Sequence, residues 1–422
     1  MKTLPKYAHY LLPILLILQP LQSKETYDLD GAIEKAISNN KELSYARLEI
    51  DRAKAKFRWS GRLPNPRLEF MGSSDQLGLN EGEHNLQIAL AQSFPRTAVL
   101  NTETTLRFRQ IALADAEVLT KEQALAARVA EDILKLVATR NYLKITREHI
   151  ELDKAIIRSL KEFIARGEAS RLELTQAELK LQHLNQQERG QISQIQQHRM
   201  HMHQLLGLPP ESEATYTYQL DLPEEKPTSS LDQELILSNR GEYQIAQSEI
   251  LASDSELDHE KARSKEPIQW KALLAEERII DEPIGAERNT FVGVSVSIPL
   301  PFRQKNEERI EQAKINKRAS EKALESLKFN IVSEYHAAQR FMTDNWDIAH
   351  IANGEILQMA KKSYNDYQLA YLDGQVSLLQ VQRALEQLHE LEEEALKASV
   401  LYHQSHIQLQ KISGALRSPA KP

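Results

Sequence analysis

The sequence predicts a mainly α-helical protein with a small β part: two copies of a long-helix coiled-coil rod, each with a hairpin of strands at one end. Three observations carry this. Gly167 and Gly374, both in turn-like contexts, stand 207 residues apart, as do Gly207 and Gly414. Phe94-Pro95 recurs as Leu300-Pro301 after 206 residues, and Glu42, Ala46 and Ile50 recur as Glu242, Ala246 and Ile250 after 200. A period this long exceeds the ~20–50 residues of a solenoid unit, so it marks a duplicated half-protein. Finally, 422 residues contain only 14 Gly and 16 Pro, which favours long helices over several compact domains.

Residues 1–23 read as an export signal. Lys2 and Lys6 precede a short apolar core, Leu11 to Leu18, with cleavage expected after Ser23. The first repeat then spans 24–210, a linker at the waist 211–230, the second repeat 231–414 and a tail 415–422. With no cysteine, disulfides, thiolate metal sites and an N-terminal lipid anchor on Cys are all excluded. The net charge of −7 gives no basic footprint, so nucleic acid is not an expected partner.

In the first repeat Asp28 is placed to cap a helix running to about Arg62, stopped by Leu63-Pro64-Asn65-Pro66. Arg67 to Ser73 alternates as a strand, Gly72 to Glu83 reads as a turn, and Asn85 to Ser93 alternates again, with Leu86, Ile88 and Leu90 on one face. From Arg96 to Arg166 neither Gly nor Pro occurs, which predicts one helix about 105 Å long at ~1.5 Å per residue. No globular domain buries such a helix; it belongs in a coiled coil or a larger assembly. A second helix follows from Glu168 to Leu206.

The second repeat predicts a helix over Glu234 to Ser264 and a strand from Ile268. A longer loop through Asp281, Pro283 and Gly285 accounts for the change in offset, and a strand through Val292, Val294, Val296 and Ile298 follows. A helix from Phe302 to Asp373 contains one glycine, Gly354, and a last helix runs from Gln375 to Ser413. In each repeat the two shorter helices together match the long one, which predicts that they stack end to end along it.

Tilted strands crossing a membrane need ~9–11 residues, with lipid-facing and water-facing side chains alternating. The four expected strands fit that pattern, although a pair of small soluble hairpins fits it too. Four strands cannot close a barrel, and open edges are not tolerated in lipid, so membrane strands here require oligomerisation; three copies give twelve strands.

The duplicated helix–hairpin–helix order, with Leu63-Pro64-Asn65-Pro66, Gln92-Ser93-Phe94-Pro95 and Ile298-Pro299-Leu300-Pro301 in corresponding places, resembles the TolC-like outer-membrane efflux proteins. The tip Arg166-Gly167-Glu168-Ala169-Ser170-Arg171-Leu172-Glu173 is most similar to the CzcC-type heavy-metal efflux branch. The resemblance implies a homotrimer with a twelve-stranded barrel in the outer membrane and an α-helical tunnel through the periplasm. It implies a passive duct for heavy-metal cations, partnered by a periplasmic adaptor and an inner-membrane RND transporter. Drug export or type I secretion is the alternative cargo, and a periplasmic coiled-coil scaffold the alternative class.

The tip residues Gly167, Ser170, Leu172, Gly374, Ser377 and Leu379 are candidates both for turn chemistry and for adaptor contact. Ser170 with Glu173 forms a capping-box pattern. By the resemblance, Tyr371 and Glu173 match gate positions, while Gln380 and Arg383 stand where the family carries acids; an Arg383–Glu173 pair is expected. His198, His201 and His203, with Met202, form the only histidine cluster and are weak metal candidates beside the reading of a solvated helix face. No catalytic constellation and no cofactor site is expected.

Overall fold

A computed structural model describes residues 25–75, 82–167, 169–228, 232–281 and 283–416. The expected signal segment 1–23, the middle of the first hairpin turn, Glu168 and the last six residues of the tail lie outside the described residues.

The elements run β1 (Glu25–Tyr27), α1 (Leu29–Asn39), α2 (Lys41–Trp59), β2 (Arg67–Ser74), β3 (His84–Phe94), α3 (Thr97–Arg166) and α4 (Arg171–Leu206). Then come β4 (Ala214–Tyr216), α5 (Gln233–Asn239), α6 (Gly241–Arg263), β5 (Ile268–Asp281), β6 (Gly285–Ser297) and α7 (Glu307–Ile351). A π-helical turn (Ala352–Ile356) separates α7 from α8 (Leu357–Leu372), and α9 (Leu378–Ile412) ends the fold.

The helix expected over 28–62 is two helices. Asp28 caps α1 through a bond from Gly31 N, and Asn40 breaks the chain and caps α2 by accepting from Leu43 N at 2.9 Å. The same break occurs at Arg240, between α5 and α6. The reason lies at the far end of each repeat, where α4 and α9 arrive. Asn40 Nδ2 donates to Leu205 O at 3.0 Å, and Arg240 Nη1 donates to Ile412 O at 3.1 Å. Leu205 and Ile412 are repeat equivalents. Each break thus satisfies a carbonyl that the end of a helix leaves open. Gly207 and Gly414, at φ 65° and 70°, let the chain turn there: an added Cβ would lie 2.6 Å from Asn39 O and 2.8 Å from Asn239 O. The short helices therefore abut end to end beside α3 and α7, as the lengths predicted.

Helix α3 is continuous over 70 residues. Its counterpart is not. The chain between Phe302 and Asn306 stays outside the helix, with Asn306 left-handed (φ 59°) and tied by Nδ2 to Glu260 O at 2.9 Å. The π turn follows at Gly354, where Asn353 Nδ2 reaches Ala349 O, Ala395 O and Ser399 Oγ.

Apolar positions along α3 bury against both repeats. Val129, Ala130, Ile133 and Leu136 pack with Ile33, Ala36, Met202 and Leu206 of the first repeat and Ile407 of the second. The waist is belted by the parallel pair β1–β4, by Tyr216, and by the Arg140 Nη1 to Tyr216 O bond at 2.9 Å. Further along, Tyr335, Met342, Trp346 and Tyr402 form the core of the second repeat, and Trp346 Nε1 pins the linker at Pro223 O.

Strands β2-β3-β5-β6 form one antiparallel sheet in that order. The loop expected through Asp281, Pro283 and Gly285 is a tight turn at Pro283 and Ile284, flanked by longer strands than expected: β5 and β6 reach 14 and 13 residues and pair to Asp281↔Gly285. Charged residues of these longer strands meet across the ladder, as Glu276 and Arg288 do diagonally at 3.9 Å. No helix of the described residues is long and apolar enough to cross a membrane.

Candidate functional site: the exposed sheet and the helical tips

Directly paired residues of an antiparallel ladder share a face. The register therefore places Leu68, Phe70, Leu86, Ile88, Leu90, Trp270, Leu274, Val292, Val294 and Val296 on one face of the four strands. All are exposed, Phe70 at 71% and Val292 at 84%. The opposite face is mixed, carrying Glu69, Gln87, Ala89, Ala91, Lys271, Gly293 and Ser295 beside Met71, Leu273 and Phe291. Small Ala89 and Ala91 on β3 leave room for Lys271 Nζ to reach Glu69 Oε2 across it at 2.7 Å. A contiguous apolar face of this extent marks a buried or lipid-facing surface. Among the described residues β2 and β6 each keep one ladder edge unpaired.

At the other end the helices turn back. Gly167 ends α3 at φ 78° with its N–H on Ile164 O, and Gly374 follows α8 at φ 72° with its N–H on Tyr371 O. An added Cβ would meet nothing within 4 Å at either glycine, so it is the left-handed backbone alone that requires them. Ser170 caps α4: its Oγ accepts from Leu172 N, and Glu173 Oε2 accepts from Ser170 N at 3.0 Å. Ser377 precedes α9 in the same way, with Gln380 Oε1 accepting from Ser377 N at 2.8 Å. Glu173 and Gln380, repeat equivalents, thus share one local task.

Leu172 is 68% exposed and Leu379 42%. Their neighbours Leu174 and Leu378 turn inward onto Ile157, Leu160 and Ala177, so the two tips pack on each other. Tyr371 meets Phe163 edge-on, ring centroids 6.2 Å apart. Arg383 is exposed, and among the described residues no ion pair joins it to Glu173. Within the chain Glu173 Oε2 instead takes part in the cap of α4.

The histidine cluster divides: His201 is exposed and His198 half-buried, but the face beside them is not solvated. Met202 and His203 are buried in the waist, and burial pushes the His203 imidazole below its ordinary value. A carboxylate does join the cluster: His201 Nδ1 bonds Asp132 Oδ2. Among the described residues no group of three or more His, Cys, Asp or Glu is arranged to hold a metal ion.

Sequence reasoning missed the polar ties between the two hairpins. Lys180 Nζ lies 3.3 Å from Glu386; Gln187 Nε2 donates to Glu393 at 3.2 Å; His149 Nε2 meets Glu392 Oε2 at 3.1 Å. The available signal was faint: Lys180 and Glu386, like Gln187 and Glu393, are 206 residues apart, nearly repeat equivalents facing each other.

Residues 32–208 match the family model described as outer membrane efflux protein. No curated protein matches the chain. Among solved structures, CusC is 17% identical over 97% of this chain and 98% of its own, with a TM-score of 0.72. A membrane protein from Pseudomonas aeruginosa is 15% identical over 91% and 93%, with a TM-score of 0.74. The CmeC outer membrane channel of Campylobacter jejuni is 15% identical over 93% and 87%, with a TM-score of 0.73. The chain has the fold of these outer-membrane channels, and over residues 32–208 it matches the outer membrane efflux protein family.

Proposed function

We propose that this chain is the outer-membrane exit duct of a tripartite efflux pump. The observation that carries the reading is the four-stranded sheet, apolar and exposed on one face, with both edges unpaired among the described residues. Unpaired edges are not tolerated in lipid, and a barrel is the closed solution. Three copies, β6 of one beside β2 of the next, close twelve strands. Residues 1–23 direct export. The repeats 24–210 and 231–414, joined by the segment 211–230 at the waist, build the barrel wall and a helical tunnel in the periplasm.

The exposed tips (Gly167, Ser170, Leu172, Gly374, Ser377 and Leu379) meet a periplasmic adaptor. Glu173, Tyr371, Gln380 and Arg383 flank the constriction behind them. In this reading an inner-membrane RND transporter drives export. The tip's similarity to the CzcC-type branch supports heavy-metal cations as cargo.

Two experiments test this. Purified protein in a planar lipid bilayer conducts and runs as a trimer in detergent; a soluble periplasmic protein without conductance refutes the duct and favours a scaffold. A deletion strain is hypersensitive to zinc, cobalt, cadmium, copper, nickel or silver salts. Hypersensitivity to dyes and hydrophobic antibiotics with normal metal tolerance keeps the duct and reassigns its cargo.

A further inference from the structure

A buried polar cluster sits where the second hairpin leans on the first. His149 of α3 is 3% exposed and His389 of α9 is 8% exposed. Their rings stack, centroids 3.0 Å apart and planes 12° apart. Around them stand Asp153 on α3, Lys180 on α4, Lys361 and Tyr364 on α8, and Glu386 and Glu392 on α9. His149 gives Nε2 to Glu392, while His389 Nε2 and Asp153 Oδ2 are buried without a partner. Apolar contacts of Leu152 and Ile156 with Leu385 and Leu388 complete the joint. Since α3 belongs to one hairpin and α9 to the other, separating the hairpins must break this stack.

We propose that the His149–His389 stack is an acid-released latch between the two hairpins. The neutral His389 ring holds α9 against α3, and a proton taken up by His389 when the joint opens prevents the joint from closing.

The electrostatics give the sign. Burial above all, then the His149 and Lys180 charges, pushes His389 down to about 2. An opened joint returns it to its ordinary ~6.5. Closure is therefore fully favoured above pH ~6.5 and progressively lost as the pH falls below it. Asp153 opposes this: burial raises its carboxyl, so acid favours its enclosed form, but Lys180 and His149 pull against that rise. Glu392, held low first by its bond from His149, acts in the same direction as His389 only nearer its ordinary 4.5. The net effect near pH 5.5 is release, by about tenfold relative to pH 7.5 for one group titrating at ~6.5.

The latch needs only the joint seen within the chain; its consequence for gating rests on the duct reading. The test is hydrogen–deuterium exchange of the intact protein in detergent, read on peptides covering 145–153 and 385–393 and corrected for intrinsic exchange rates. Opening in the native protein rises about tenfold from pH 7.5 to 5.5. His389→Phe and His389→Gln remove the titration, and exchange there no longer responds to acid, whether the joint is closed or already open at pH 7.5. A native protein insensitive to acid, or variants as sensitive as the native protein, overturns the proposal. Failure of the duct reading appears instead as absent bilayer conductance and leaves the exchange result untouched.

Discussion

Asn40→Ala should loosen the waist more than any tip substitution. Asn40 is 7% exposed and does two things at once. Its Oδ1 caps α2 through Leu43 N at 2.9 Å, and its Nδ2 satisfies the buried carbonyl of Leu205 at 3.0 Å. Losing an N-cap costs about 1 kcal/mol, and orphaning a buried acceptor costs about 1–3 kcal/mol more. The total, about 2–4 kcal/mol, corresponds to roughly a 30- to 700-fold gain in local opening. Asn40→Ser separates the parts: serine still caps but does not reach Leu205, so it should recover about 1 kcal/mol and keep the about 1–3 kcal/mol due to the orphaned carbonyl. Because a chain of 422 residues need not unfold in one step, the assay is amide exchange at 41–46, compared with distant reporters on α3. Protection within threefold of the native value in Asn40→Ala would refute the claim that this side chain holds the joint. Equal effects of alanine and serine would assign the whole loss to the Leu205 bond.

Further outcomes follow from other parts of the fold. Gly207→Ala should lower the thermal midpoint more than Gly167→Ala: both adopt positive φ, but only at 207 would the new Cβ press on a backbone carbonyl, at 2.6 Å. The reverse order would mean the waist relaxes freely. Ile88→Lys, on the exposed apolar face, should cost about 2–4 kcal/mol of insertion if that face meets the middle of the bilayer. Gln87→Lys, on the other face, should insert normally, and equal membrane recovery of the two would sink the assignment of faces. Acid should weaken the waist as well. His203, His403 and His406 are each lowered by burial, so their contribution is complete above the ordinary value near 6.5 and declines below it. A thermal midpoint unchanged between pH 7.5 and 5.5 would contradict that sign.

Much of the fold was legible because its signals are local or periodic. A run of 71 residues without Gly or Pro has little choice but helix, and α3 spans 70 of them. Alternating apolar residues placed β2, β3 and β6. Gly167, Ser170, Gly374 and Ser377 announced the tips, because a left-handed residue and an N-cap are set within a few positions of the chain.

The failures were long-range. The breaks at Asn40 and Arg240 are invisible in the helical pattern that runs through them, because their cause is the arrival of Leu205 and Ile412, 165 and 172 residues later. The far ends of β5 and β6 read as loop because they are charged, yet a backbone ladder pairs regardless of side-chain polarity once the hairpin is nucleated. His149 and His389 look like unrelated histidines on two amphipathic helices. Sequence alone thus determined the duplication, the helices, the strands and the turns that close them, since these depend on neighbours within one or two helical turns. Tertiary structure decided which ends abut, which side chains satisfy buried carbonyls and which charges meet between the hairpins. Those outcomes depend on burying polar groups against partners far away in the chain, and an unpartnered buried polar group is costly enough to select one arrangement.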